Sequence, residues 1–313
     1  MVSRQRCTGT NNLITVQHTY DTSGNAITAI DGDGHLGCTE NGNQYSACAV
    51  YDSADAHILT ATNALNQATT YTYATDATGG FGEWLTAETD PNNQTTQYQY
   101  DVLGRLTAIA RPGDSLGSPT VSYTYTNTCS QGQTTPCLEL DTSTQFVSGG
   151  PTSTMKQWYD GYGNLVETQT PSPVAGQTIV TFTVYDFLER PVSKSLLYAI
   201  DTPSGYVAPD ETQAHTVTSY DGLGRSLGTA TYGQGGTIVT ENTINYTIGN
   251  NIPTLVGDTN PYEQTITVDA LGHQSITYTD AFGRTRYTQV FSGTRTPYSV
   301  VRTVGYTYDP LGV

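Results

Sequence analysis

Tyr-Asp occurs seven times in this chain, at Tyr20, Tyr51, Tyr100, Tyr159, Tyr185, Tyr220 and Tyr308. Five copies, those of Asp21, Asp101, Asp160, Asp221 and Asp309, carry a glycine three residues after the aspartate: Gly24, Gly104, Gly163, Gly224 and Gly312. After Asp52 and Asp186 that place is held by Asp55 and Glu189. Relaxed copies fill the intervals: "IDGDGH" from Ile30, "TNALNQ" from Thr62, "TDPNNQ" from Thr89, "VDALGH" with Asp269 and Gly272, and "TDAFGR" with Asp280, Gly283 and Arg284. Asn66 and Asn93 stand in for the glycine in two of them, and asparagine tolerates a left-handed backbone best after glycine. An aspartate opening a turn accepts N–H groups from the residues ahead of it, and a type I turn closed by a left-handed residue makes a hairpin with a bulge. A chain that reverses this often is confined to short antiparallel elements.

The segments before these turns alternate, as in "TTYTYATD" from Thr69, "TTQYQYD" from Thr95, "IVTFTVYD" from Ile179 and "QSITYTD" from Gln274. A period of two with Tyr, Val and Ile against Thr, Gln and Ser predicts strands with one drier face. Turn positions 52 and 63, 90 and 101, and 269 and 280 lie 11 apart, which leaves a normal strand length between turns. Only 36% of residues are hydrophobic, and 23 tyrosines stand against 6 phenylalanines; tyrosine suits sheets that are only partly dry. The expectation is an all-β fold, a strip of antiparallel hairpins running through residues 1–313 as a single array, less regular over 1–50.

The formal charge of −16 repels phosphate backbones, so nucleic acid is not an expected partner. No apolar run reaches the length of about 18 residues that a membrane span needs, and the opening "MVSRQRCTGTNNLITVQ" has no apolar core of a signal peptide. The ending, "GYTYDPLGV", stops within a copy of the motif, so a piece of a longer chain is expected. Cys38 with Cys48 and Cys129 with Cys137 are spaced to staple local loops, leaving Cys7 over; free thiols fit the same spacing. No CxxC pair points to zinc.

The closest approach to a known pattern is "YQYDVLGRLTAIARPG" from Tyr98, with "YDGYGNLVETQTP" and "YDGLGRSLGTATYG" similar to it. Together they resemble the Rhs, or YD-repeat, family from about Tyr20 onward. The resemblance implies a strip of hairpins coiling into a hollow shell, which encloses a toxic C-terminal domain in bacterial polymorphic toxins and insecticidal toxin complexes and serves adhesion in teneurins. It further implies a larger secreted or cell-surface protein as the context, with the rest of that chain and an enclosed cargo as partners. The self-cleaving core segment and toxin that usually end such shells have no counterpart in these residues.

Catalytic signatures are weak. Gly32-x-Gly34-x-x-Gly37 lacks the helix that a dinucleotide site requires, and the calcium-loop start at Asp31 and Asp33 would end on Gly42 in place of the bidentate glutamate. The five histidines show no ligand pairing, and no nucleophile elbow or phosphate loop occurs. The aspartates all occupy one turn position, which reads as structural. Arg105, Arg225 and Arg284, with Asn25, Asn164 and His273 as variants, follow the turn; such a residue is expected to pair with the aspartate or stack on the tyrosine before the turn. The reading is a non-enzymatic shell segment without cofactor or metal that isolates a cargo. The alternative is a carbohydrate-binding or adhesive module displaying its tyrosines to glycans.

Overall fold

The computed structural model describes residues 2–8, 12–30, 37–40, 43–75, 81–128, 136–249 and 261–308. Every regular element among them is a β-strand, and the strand pairings described below are antiparallel. The chain divides into two compact units, Met1–Tyr125 with Leu140–Thr154, and Thr126–Glu139 with Met155–Val313.

In the first unit a meander runs through Val2–Thr8, Asn12–Tyr20, Ala26–Ile30, Ala47–Tyr51, Ile58–Thr62, Ala68–Thr75, Phe81–Thr89, Thr95–Tyr100 and Leu106–Ala110, each paired to the next. A side ribbon of Cys38–Glu40 and Asn43–Tyr45 is tied to the meander by the Cys38–Cys48 disulfide.

The second unit repeats the plan from residue 156 through Leu165–Pro171, Gln177–Tyr185, Pro191–Ser195, His215–Tyr220, Ser226–Tyr232, Ile238–Gly249, Tyr262–Val268, Gln274–Thr279, Thr285–Ser292 and Ser299–Gly305. One strand is shared. Residues 177–180 of Gln177–Tyr185 pair with Tyr198–Asp201, whereas residues 183–185 pair with Pro191–Ser195.

Alternation sorts the faces as a pleated strand requires. Along Gln177–Tyr185, Thr178, Val180 and Phe182 are buried and the residues between them are half-buried. The dry clusters are small, as the low apolar content demands: Tyr262, Ile276 and Tyr278 form one, flanked by Ile266, Tyr287 and Phe291. Polar side chains fill much of the rest of the buried face, and several hydrogen-bond to one another there. Gln289, 1% exposed, accepts the Tyr278 hydroxyl at 2.7 Å and donates to Thr303 at 3.3 Å.

Strand direction decides on which edge each turn falls. In the first unit the turns opened by Asp21, Asp52 and Asp101 share one edge, with Asn63 and Asp90 on the other. In the second, Asp160, Asp186, Asp221 and Asp280 share one edge and Asp269 lies opposite. The full Tyr-Asp motif therefore marks one edge of each unit. The relaxed turns on the far edge follow Thr62, Thr89 and Val268 in place of tyrosine.

Candidate functional site: the Tyr-Asp turn

The turn at Asp101 shows the geometry. Its Oδ1 accepts the N–H groups of Leu103 and Arg105, both at 2.9 Å, while the Gly104 N–H donates to the Asp101 carbonyl at 3.0 Å. Asp101 N–H closes the hairpin on the Arg105 carbonyl at 2.9 Å, and the register shifts at Tyr100, a one-residue bulge. Gly104 sits at φ 78°, a region that costs an L-residue roughly 1 kcal/mol or more. Equivalent carboxylate-to-backbone bonds form at Asp21, Asp160, Asp186, Asp221, Asp269 and Asp280. Gly24, Gly163, Gly224, Gly272 and Gly283 all take positive φ there. Asp55, Asn66, Asn93 and Glu189 adopt the same conformation without being glycine, at φ 55° to 61°.

The second carboxylate oxygen holds the residue after the turn. Arg105 Nε donates to Asp101 Oδ2 at 2.7 Å, Arg190 to Asp186 at 2.8 Å, Arg225 to Asp221 at 2.7 Å and Arg284 to Asp280 at 3.0 Å. Asn25, Asn164 and His273 reach the same oxygen of Asp21, Asp160 and Asp269. At Asp52 the turn is one residue longer, so His57 takes this role through Nδ1 at 2.9 Å.

Each guanidinium then covers a tyrosine of the following repeat. The arginine carbon Cζ lies 4.3 Å from the Tyr125 ring for Arg105, 4.6 Å from Tyr220 for Arg190, 4.0 Å from Tyr246 for Arg225 and 5.2 Å from Tyr308 for Arg284. Stacking on the tyrosine before the turn, one of the two contacts expected from the sequence, is thus corrected. The arginine opens the returning strand, and its open side faces the strand that comes next. His57 follows the same rule, 4.6 Å from the Tyr73 ring.

Three of the four covered tyrosines answer with the hydroxyl, which donates to the carbonyl just beyond the arginine. Tyr125 reaches Leu106 at 3.0 Å, Tyr220 reaches Pro191 at 3.0 Å and Tyr308 reaches Thr285 at 2.8 Å. Tyr51 to Ala26 and Tyr185 to Leu165 repeat the bond where asparagine replaces arginine. One aspartate, one arginine and the next tyrosine therefore form a latch between successive hairpins.

The latch shifts the aspartates. Hydrogen bonds from the Arg190 and Arg225 side chains hold Asp186 and Asp221 below the usual carboxylate range. For Asp101 the Arg105 backbone N–H is the leading cause, followed among the lowering interactions by its side chain.

The remaining motif residues serve locally. Tyr100 stacks on Trp84 with ring centroids 5.8 Å apart, and a side chain on Gly104 would strike that indole at 2.8 Å. Tyr159 gives its carbonyl to the Cys137 N–H, and Tyr20 is 43% exposed. Asp309, Gly312, the glycine-rich stretch from Asp31 and Cys129 lie outside the described residues; Cys137 is disulfide-bonded. Among the described residues, no group of three or more His, Cys, Asp or Glu is placed to hold a metal.

Sequence reasoning missed Glu167, which is 1% exposed. It pairs across strands with Trp158 and Phe182, both buried. Its Oε2 accepts the Val207 N–H at 2.8 Å and its Oε1 accepts from Gln169, whose amide also donates to the Gly205 carbonyl at 2.9 Å. Burial pushes its carboxyl up to about 7 against these two hydrogen bonds. The signal was its parity with buried Gln169, readable only once the register with Phe182 is known.

Residues 81–116 match the family model of the RHS Repeat. No curated protein matches the chain. Among solved structures, the crystal structure of TcdB2-TccC3 is similar at 13% identity and a TM-score of 0.66, covering 99% of this chain and 17% of that one. The same complex without its hypervariable C-terminal region gives 12%, 0.65, 99% and 19%, and TcdB2-TccC3-Cdc42 gives 12%, 0.65, 99% and 20%. This chain thus spans a fifth or less of those chains, and at such identity the likeness shows a shared fold. Residues 81–116 thus match an RHS Repeat, and the chain as a whole shares its fold with the TcdB2-TccC3 structures.

Proposed function

We propose that this chain is a non-enzymatic wall segment, one continuous array of hairpins within a larger Rhs-type protein whose shell isolates a C-terminal cargo until delivery outside the cell. The observation that carries the reading is the latch itself. The residues with most chemical potential, the aspartates and arginines of the motif, spend their charges on holding each hairpin to the next, which is what a wall requires and a catalytic centre does not. Support for the cargo comes from TcdB2-TccC3, a complex with a hypervariable C-terminal region and a similar fold.

The alternative, glycan binding through the repeat tyrosines, is the weaker reading. Tyr125, Tyr220, Tyr246 and Tyr308 each have a guanidinium over one ring face. A sugar would have to displace these contacts or use the other face.

Limited proteolysis of the full-length gene product tests the wall. The region downstream of the array should resist protease until the array is unfolded. Digestion of that region at the same rate with a native and an unfolded array would reject the encapsulation.

A further inference from the structure

Four latches place a guanidinium between the turn aspartate and the next tyrosine, those of Arg105, Arg190, Arg225 and Arg284. At Asp160 the same position is Asn164. Its Nδ2 reaches Asp160 Oδ2 at 3.1 Å and extends no further, and no described cation lies over the Tyr185 ring. The Tyr185 hydroxyl still bonds the Leu165 carbonyl at 3.2 Å, so the frame of the latch is intact around a shorter side chain.

Beside that side chain is a cleft of about 410 Å³, lined among others by Asp160, Asn164, Tyr185, Asp186, Phe187 and Tyr206. Asp160 is 8% exposed and no described cation pairs with it. The other asparagine latch differs: Asn25 Nδ2 goes on to donate to the Asp55 carbonyl of the adjacent turn at 2.6 Å, bridging the interval that Asn164 leaves open.

We propose that this cleft binds a guanidinium group, carried by an arginine side chain of a partner polypeptide. The neighbouring latch supplies the template. Arg190 donates to its aspartate, covers the Tyr220 ring and sends Nη1 to the Asp221 carbonyl at 3.2 Å. A guanidinium in the Asn164 cleft meets the corresponding set: the Asp160 carboxylate, the Tyr185 ring and the Asp186 carbonyl. A planar donor fork suits a carboxylate and an aromatic face together, which an ammonium does less well. The surplus negative charge of the chain, −16, favours a cationic ligand.

The test is calorimetric titration of the 313-residue chain at low ionic strength with N-acetyl-arginine methylamide. Its citrulline counterpart, equal in shape and uncharged, is the control. The arginine probe should bind about tenfold or more tighter than the citrulline probe, and D160N should reduce that difference. N164R supplies the group from within, so it should abolish binding and raise the melting temperature, whereas N164A should keep binding. Equal affinity for the two probes, no binding by the unmodified chain, or undiminished binding by a folded N164R would each overturn the proposal. Should N164R fail to fold, Y185L carries the same decision: undiminished arginine binding by that variant rejects the site.

Discussion

The Arg190 guanidinium lies 4.6 Å from the Tyr220 ring while its Nε holds Asp186 at 2.8 Å, so a single side chain joins the turn it follows to the hairpin ahead. Both ends of the contact are partly exposed, which limits each to a modest contribution. Repetition, more than the strength of any one latch, gives the edge its cohesion.

A double-mutant cycle on Arg190→Ala and Tyr220→Leu should return a coupling of about 0.5–1 kcal/mol by denaturant unfolding, in line with a half-exposed cation–π pair. Purely additive effects would show that the stacking is incidental. Tyr220→Phe isolates the hydroxyl bond to the Pro191 carbonyl and should cost about 1 kcal/mol.

Gly224 takes φ 84° and has only the tip of Arg190 within reach of an added Cβ, at 3.8 Å. Gly224→Val should therefore lower the melting temperature through backbone strain of about 1–3 kcal/mol. Gly222→Ala, in open space without positive φ, should change it little. Equal effects from the two substitutions would argue against a strained turn.

Acid should loosen the latches. Side-chain hydrogen bonds from Arg190 and Arg225 lower the folded-state values of Asp186 and Asp221 beneath the ordinary aspartate value of 3.8. Their contribution is thus complete above the unfolded-state value and lost as pH falls through the lowered folded-state values. Thermal scans should show stability dropping below about pH 4, and Asp221→Asn should reduce the slope.

Glu167 should act in the opposite sense. Its folded-state value is raised from 4.5 to about 7 by burial. Stability tied to the neutral carboxyl is complete below 4.5 and lost as pH rises through about 7. Segment 205–207, held by Glu167 and Gln169, should exchange amide hydrogens faster above neutrality after correction for intrinsic rates. Glu167→Gln should remove that pH dependence; an unchanged profile in the variant would dismiss Glu167 as its source.

The strand-and-turn plan was legible because each turn carries its own chemistry. Asp101, Gly104 and Arg105 declare a reversal within five residues, and Tyr71 and Tyr73 declare a strand by alternation. The latch was half legible: Asp221 and Arg225 are close in sequence, whereas the Tyr246 that Arg225 covers depends on which strand comes next in space. Glu167 was not legible at all. Its burial depends on the excursion after Asp201 folding back so that the Val207 N–H meets its carboxylate, and no local pattern specifies that return. The closure of Cys38 with Cys48 fits the spacing, yet the same spacing accommodates free thiols.

Because every latch hands its arginine forward, the array has an arrow that coincides with the order of synthesis. A hairpin emerging from the ribosome can close its own turn at once, since Asp221 and Arg225 arrive together. It stays loosely held until the tyrosine of the following strand appears and clamps it. Fastening would then advance one step behind translation, each new hairpin locking the one before it.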